Sequence, residues 1–517
     1  MNRKQRRAQA AVAKPAPNAA QTPPQAAPAA TDARFEQAVN RGMAHFQAGQ
    51  AAEAIAAFRA AIALDPQHPL PYSNLGAILR AHGKAEEALA CCRQALALDP
   101  QHAMAHNNLG LALADLHRHE EAVAALHSAI ALEPRNPGAL TNLTQSLLAL
   151  GRFDEAAEAC RRAIALRPDS PKAFNNLGSA MLSLGRMEEA IAGFSEAIRR
   201  APDLAPARKN RGLALLHLGR FREGWVDYEA RWAADGIMPR RFPRPLWSGE
   251  PVAGRTILLI AEQGLGDAIH FARFVPVLAE AGAKVVFEVH PPLARLMRSL
   301  SGAAAVVAMD DPLPEFDAYQ ALMTVPGALG LTSDRIPAPI PYLSAEPERV
   351  ALWRERIGTD GFKVGIVWQG KGENAMQQSR SVDLGTLAPL ARVPGVRLIS
   401  LQRPGADTAA PADLAVETLG PDFDAGADAF IDSAAVIANL DLVVTIDTSM
   451  AHLAGALGRP VWIALKHVPD WRWGLSGDAT PWYPTARLYR QPAPGAWEPV
   501  FAAIAADLAR ATADRVP

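Results

Sequence analysis

Residues 69–102 read PLPYSNLGAILRAHGKAEEALACCRQALALDPQH, and residues 103–136 read AMAHNNLGLALADLHRHEEAVAALHSAIALEPRN. Superposed, the two stretches share Asn-Leu-Gly at positions six to eight, Glu-Glu-Ala at eighteen to twenty and Pro at thirty-two. The frame extends both ways. Pro66, Pro100, Pro134, Pro168 and Pro202 keep it, as do Ala54, Ala88, Ala122, Ala156 and Ala190. Gly42, Gly76, Gly110, Gly178 and Gly212 keep it too, with Thr144 in place of one glycine. Six units follow without a gap: 35–68, 69–102, 103–136, 137–170, 171–204 and 205–238. Each holds two amphipathic helical stretches around a short turn such as Leu150-Gly-Arg-Phe153. Gly and Ala let the paired helices approach closely, and Pro ends the second helix. Such a unit cannot bury its apolar face alone, so neighbours stack into a solenoid with a concave groove.

These units resemble tetratricopeptide repeats. The sixth departs from the pattern at Gly224, Arg231 and Gly236, as a terminal unit packed on another domain would. Asn40, Asn74, Asn108, Asn142, Asn176 and Asn210 recur at position six, on the first helix, which lines the concave face in that family. An amide both donates and accepts, so it can pair with any extended peptide backbone. A similar ladder lies in the superhelix of eukaryotic O-GlcNAc transferases, where it holds acceptor polypeptide. The resemblance therefore implies a protein or peptide acceptor in the groove. The alternative is that each Asn bonds the adjacent repeat.

Composition narrows the function. The 517 residues imply roughly three or four domains. With 52 Lys+Arg against 53 Asp+Glu, the chain lacks the global charge of a nucleic-acid or anionic-lipid binder. Three cysteines exclude a disulfide scaffold, and no Cys/His spacing fits zinc. The cysteines fall in second helices and read as core. No apolar run is long enough for a transmembrane segment, so a cytoplasmic protein is expected. Residues 1–33 read as a disordered tail rich in Ala and Pro, with Arg3, Lys4, Arg6, Arg7 and Lys14 and no secretory apolar core. A solubilising role and a nucleic-acid or membrane contact through residues 2–7 are both open there.

All ten tryptophans lie at or after Trp225, which marks a second architecture beyond a linker at 239–250. Thr256-Ile-Leu-Leu-Ile-Ala261 reads as a buried strand. Glu262-Gln-Gly-Leu-Gly-Asp267 follows as a loop, then a helix, then the strand Lys284-Val-Val-Phe-Glu-Val289. This is a βαβ unit. A second set begins at Lys363-Val-Gly-Ile-Val-Trp368. It includes a strand at 442–446 that runs into Asp447-Thr-Ser-Met-Ala-His-Leu-Ala-Gly-Ala-Leu-Gly458. Ligands bind at the carboxyl ends of such strands. Two Rossmann-like domains, at 251–345 and 346–517, are expected to face each other across a cleft.

The Gly-Leu-Gly-Asp loop paired with the later Asp-Thr-x-x-Ala-His segment resembles the heptosyltransferase-like GT-B glycosyltransferases of family 9. Asp470-Trp-Arg-Trp473, Pro481-Trp-Tyr-Pro484 and Arg487-Leu-Tyr-Arg-Gln491 resemble a bacterial group that joins tetratricopeptide repeats to such a domain. The first Rossmann half is shorter than in heptosyltransferases, which bears on the acceptor side.

The resemblance implies a transferase that moves sugar from a nucleotide-sugar, itself a substrate, without cofactor or metal. Asp267 matches the family's catalytic base, with a helix N-cap as the alternative. Gly264, Leu265 and Gly266 would let backbone approach the donor. Asp447, Thr448, Ser449, Met450 and Ala451 match the nucleotide-phosphate loop, and His452 is either a phosphate or sugar contact or a structural histidine. Arg380 with Ser381, or else Lys371, would neutralise phosphate. Asp422-Phe-Asp424 has metal-motif spacing, but GT-B enzymes do not generally use it. Trp471 and Trp473 read as core before they read as a stacking platform. Protein O-glycosylation is the favoured reaction. A glycan or lipopolysaccharide acceptor, a repeat scaffold with a degenerate transferase domain, and a nucleotide-sugar epimerase are the alternatives.

Overall fold

The structure, a computed structural model, describes residues 28–337, 340–370, 379–403 and 414–513. The basic segment at 2–7 and Lys371 lie outside them. The chain divides into two compact units, residues 1–134 and 135–517.

The first unit holds three helix pairs: Pro28–Gln47 with Ala51–Leu64, Pro69–Ala81 with Ala85–Leu98, and Ala103–Asp115 with His119–Leu132. The second helices of the later two stop before Pro100 and Pro134, as the proline ladder demands. The opening helix starts at Pro28, so residues 28–33, read above as tail, are helical. Proline is tolerated in a first turn, and Ala29 and Ala30 favour its continuation.

The second unit opens with three more pairs: Pro137–Ala149 with Phe153–Leu166, Pro171–Ser183 with Met187–Arg200, and Ala205–His217 with Phe221–Tyr228. The pairing logic is steric. A Cβ added at Gly178 would lie 2.7 Å from the Phe194 ring. Where Thr144 replaces glycine, its hydroxyl donates to Leu140 O at 2.9 Å and receives the Cys160 thiol at 3.5 Å. Burial first pushes the thiols up, Cys92 to about 12 and Cys160 to about 11, so both behave as core residues.

Two parallel sheets follow. The first contains β1 (Thr256–Ile260), β2 (Lys284–Val289), β3 (Ala303–Ala308) and β4 (Ala318–Ala321), in the order β3-β2-β1-β4. The second contains β5 (Phe362–Val367), β6 (Val396–Ser400), β7 (Val416–Glu417), β8 (Leu442–Ile446), β9 (Val461–Leu465) and β10 (Ala486–Arg490). Its order is β10-β9-β8-β5-β6-β7. The stretch read as a linker joins the first sheet at its edge: Trp247 N–H donates to Tyr319 O at 2.9 Å. One core runs continuously from Leu216, Phe221, Trp225 and Tyr228 of the sixth repeat through the first sheet to Leu453, Trp471 and Tyr483.

Candidate functional site

Strand order locates the crevices. In the second sheet the chain leaves β5 towards β6 on one side and returns to β8 on the other. The gap outside β5 and β8 is therefore a topological switch point. Gln369, Gly370, Arg380 and Ser381 lie beyond the end of β5, and Asp447 and Thr448 beyond the end of β8. In the first sheet β1 lies between β2 and β4, and its loop carries Gln263, Gly264 and Asp267. The two helices that leave the loops after β1 and β8, Leu265–Phe271 and Ser449–Ala456, pack together. A Cβ on Gly266 would stand 3.3 Å from Ser449 Cα, so the missing side chain allows that approach.

Asp267 serves two ends. Its Oδ2 accepts the Gly264 N–H at 3.2 Å, a bond that caps the helix. Its Oδ1 accepts from Arg472 Nη2 at 2.5 Å. The side chain keeps 25% of its exposure, so the carboxylate still reaches solvent. The carboxylate thus caps the helix and still keeps part of its surface open. Gln263, just before, adopts left-handed backbone at φ 59, an uncommon conformation for a residue with a side chain.

In the phosphate-loop segment, Thr448 is a helix N-cap whose Oγ1 accepts the Met450 N–H at 3.3 Å and lies 3.1 Å from Thr445 Oγ1. The Ala451 N–H donates to Thr448 O at 3.0 Å. Met450 and Ala451 are buried, and their N–H groups are committed to the cap. Asp447 and Ser449 remain half-buried. Burial first, and then the negative charge of Asp470, push the Asp447 carboxyl up to about 6, against the pull of Arg380 and Arg472. Asp470 is itself held low. Burial raises it, but the Arg472 charge and backbone N–H outweigh that.

Cations surround this loop. Arg380 lies across the backbone of Gly370, where an added Cβ would meet its Nε at 2.9 Å. Ser381 Oγ accepts the Gly370 N–H at 3.1 Å. Lys466, at the end of β9, is pushed down by burial and pulled up by Asp447 and Asp470. Motif reading missed Lys466, because nothing but its place after a buried strand marks it. It also left Arg472 inside a quoted motif without a role.

His452 is buried among aromatic neighbours. It is 6% exposed, and it stacks on Trp473 with centroids 5.3 Å apart and planes 12° apart. Its Nδ1 lies 3.1 Å from the Tyr483 hydroxyl, and His270 Nδ1 lies 3.0 Å from the same oxygen. One hydroxyl can donate to one imidazole and accept from the other, which requires the accepting ring to be neutral. Burial first, then nearby arginines, hold both imidazoles well below their ordinary value. Trp471 and Trp473 are buried at 4% and 2% exposure, as core reading expects. The Asp-x-Asp carboxylates are spent locally. Asp422 pairs with Arg356 at 2.8 Å, and Asp424 bonds Ser433 Oγ at 2.5 Å and the Asp432 N–H at 2.9 Å.

The sixth repeat reaches the same loops. Tyr228 OH accepts from Gln263 Nε2 at 3.2 Å. Arg231, 2% exposed, forks onto Glu262 at 2.8 and 3.0 Å and also meets Glu229 and Thr324. A separate cavity of about 410 Å³ is lined by Ser195, Arg211, Arg220, Arg222, Val226 and Asp227.

The asparagine ladder splits. Asn108, 8% exposed, donates to Ser73 O at 3.1 Å and Ser73 Oγ at 3.3 Å on the preceding repeat. Asn176, 6% exposed, donates to Thr141 O at 3.5 Å in the same manner. At these positions the amides bond adjacent repeats. Asn40 is exposed, and Asn74, Asn142 and Asn210 are half-buried.

Family models for the tetratricopeptide repeat match residues 42–83, 76–117, 104–136 and 141–205. The repeats are tetratricopeptide repeats. Over 317 residues the chain is 30% identical to Protein FlbA of Caulobacter vibrioides (strain ATCC 19089 / CIP 103742 / CB 15). That match covers 55% of this chain and 52% of FlbA, so the chain spans about half the length of this curated relative. Among solved structures, YrrB, described as a TPR protein with an unusual peptide-binding site, is 22% identical with a TM-score of 0.30. It aligns over 35% of this chain and 92% of its own. A thermophilic TPR protein of Thermus thermophilus, TTC0263, is 25% identical with a TM-score of 0.31, over 35% of this chain and 99% of its own. PilF of Pseudomonas aeruginosa is 20% identical with a TM-score of 0.36, over 39% of this chain and 92% of its own. Among the described residues no helix is long and apolar enough to cross a membrane.

Proposed function

We propose that the chain is a GT-B glycosyltransferase that moves a sugar from a nucleotide-sugar to an acceptor hydroxyl, with a polypeptide acceptor recruited by the repeats. The observation that carries this reading is the meeting of two strand-to-helix loops from two parallel sheets. One supplies a solvent-reaching carboxylate, Asp267, and the other is ringed by Arg380 and Lys466. In this reading Asp267 takes the proton of the acceptor hydroxyl as the sugar carbon is attacked. Arg380 and Lys466 offset the charge that builds on the departing nucleotide phosphate. In this reading the exposed Asn40 and half-buried Asn74 of the first unit are amides a peptide backbone can reach.

A second reading, a repeat scaffold with an inactive α/β region, is favoured by one observation: the matching family models all lie within the repeats. Thermal unfolding with UDP, GDP, ADP, CMP or dTDP separates the two. On the transferase reading one nucleotide stabilises the wild type, by about 2.7 kcal/mol at 100 times its dissociation constant. Arg380→Ala should lose that shift. No shift with any of the five would leave the scaffold reading standing and remove the transferase.

A further inference from the structure

The Asp470-Trp-Arg-Trp473 turn touches three parts of the second unit at once. Arg472 donates from Nη2 to Asp267 Oδ1 at 2.5 Å. Its Nη1 reaches Asp470 Oδ1 at 2.9 Å, and its own backbone N–H reaches the same oxygen at 3.0 Å. One guanidinium thus holds a carboxylate from each half of the cleft. These two carboxylates sit 203 positions apart in the chain, 267 against 470.

The guanidinium is also walled in. It is 7% exposed and lies over the rings of Phe271 at 5.3 Å and Trp471 at 4.9 Å. Trp471 in turn meets Trp225 edge-on at 5.3 Å and Phe221 at 6.0 Å. Both belong to the last repeat helix, Phe221–Tyr228, whose Tyr228 also bonds Gln263 in the Asp267 loop. The groups that face Asp267 are therefore Arg472, Tyr228 and His290, with Gly264 N–H at its other oxygen. With one oxygen fixed by the Gly264 N–H and the other by a guanidinium that cannot swing, the carboxylate is confined to one orientation. Planar fork geometry achieves this, and a lysine ammonium, a single point charge, does not reproduce it.

We propose that Arg472 is a positioning residue that presents the Asp267 carboxylate to the cleft, and that the sixth repeat, through Phe221, Trp225 and Tyr228, completes the site by holding Arg472 in place. This rests on the transferase reading above.

The test uses the full chain and follows nucleotide release from UDP-glucose, GDP-mannose, ADP-glucose, CMP-sialic acid and dTDP-rhamnose, with water or added peptide as acceptor. Arg472→Lys, Tyr228→Phe and wild type are compared for melting temperature, nucleotide-induced stabilisation, KM and kcat. For Arg472→Lys the expected result is an unchanged nucleotide shift, a donor KM within about threefold, and a kcat lowered about 100-fold, the scale of a misplaced catalytic group. Tyr228→Phe should lower kcat about threefold to tenfold with KM unchanged, since it removes one bond to the loop. If Arg472→Lys does not fold, Asp470→Asn removes the other anchor of the guanidinium, and the same split in kcat is expected. A kcat that survives in every variant overturns the inference. So does a raised KM with loss of the nucleotide shift, which would make Arg472 a phosphate ligand. Wild type that neither binds nor releases any nucleotide refutes the transferase reading and this inference with it. Wild-type turnover with Arg472→Lys unaffected refutes the inference alone.

Discussion

Acidification should unfold the second unit through its buried histidines. His270 and His452 are neutral in the folded state and share the Tyr483 hydroxyl. Charged and titratable groups facing them are Arg273, Arg380, Arg472 and Asp470. The folded pKa of each histidine lies below the unfolded one. As pH falls through the unfolded value, only the unfolded chain takes up the proton, so stability is complete above that value and is lost below it. With an unfolded pKa of about 6.5, each such histidine costs on the order of 1 kcal/mol at about pH 5.5. His217, lowered to about 4 by burial, works in the same direction. Its half-buried position reduces its share. Asp447 opposes them. Its raised folded pKa lets the folded state gain a proton, which offsets part of that loss. His290, lowered first by burial, adds to the loss, and the net expectation is a loss of a few kcal/mol between about pH 7.5 and 5.5. Urea unfolding followed by tryptophan fluorescence measures it, and reports this unit alone because every tryptophan lies at or after Trp225. His452→Gln should shrink the pH difference by about 1 kcal/mol. Equal unfolding free energies at the two pH values, or an unchanged difference in the variant, would refute the reasoning.

Two further outcomes follow from packing. Gly178→Ala puts a Cβ 2.7 Å from the fully buried Phe194 ring, and overpacking of this kind is expected to cost about 1–3 kcal/mol, read as a lower melting temperature. Asn108→Ala leaves the Ser73 carbonyl and hydroxyl without their amide donor, for about 1–2 kcal/mol by circular dichroism, while nucleotide binding in the other unit stays unchanged.

The repeats were legible because every constraint in them is local or recurs at a spacing of 34. Gly178 faces Phe194 across sixteen positions, and Pro168 follows just after the helix that ends at Leu166. Strands such as β1, β2, β5 and β8 were legible as apolar runs, and their loops as the breaks after them, whereas β3, β4, β7 and β10 were not assigned. The asparagine ladder shows the limit of periodicity. An amide turned into a groove and an amide turned onto the preceding repeat have the same spacing, and only the fold puts Asn108 on Ser73. His452 was ambiguous for a related reason. Its neighbour Tyr483 comes from a turn thirty-one residues on, inside a motif that names no partner. The Asp267–Arg472 contact spans 205 positions and exists only once both sheets and the last repeat have closed around it.

The sixth repeat explains its own irregularity. A repeat stack needs a terminal unit whose outer face is made polar or is covered. Here Phe221, Trp225 and Tyr228 are buried in the same core as the first sheet, so the α/β region is the cover. Gly224 permits it: a Cβ there would lie 2.9 Å from the Leu216 side chain, so the shortened helix can sit close to its partner. Arg231, which breaks the repeat pattern, is buried against Glu262 at the head of the Gly264 loop. Burial raises the Glu262 carboxyl above its ordinary value, against the pull of the Arg231 hydrogen bond and charge. Removing either partner would strand a buried charge at a cost of about 3–5 kcal/mol. The residues that depart from the repeat are thus the ones that carry the contact. The last repeat and the loop that holds Asp267 are joined by the Arg231–Glu262 and Tyr228–Gln263 contacts over one shared core.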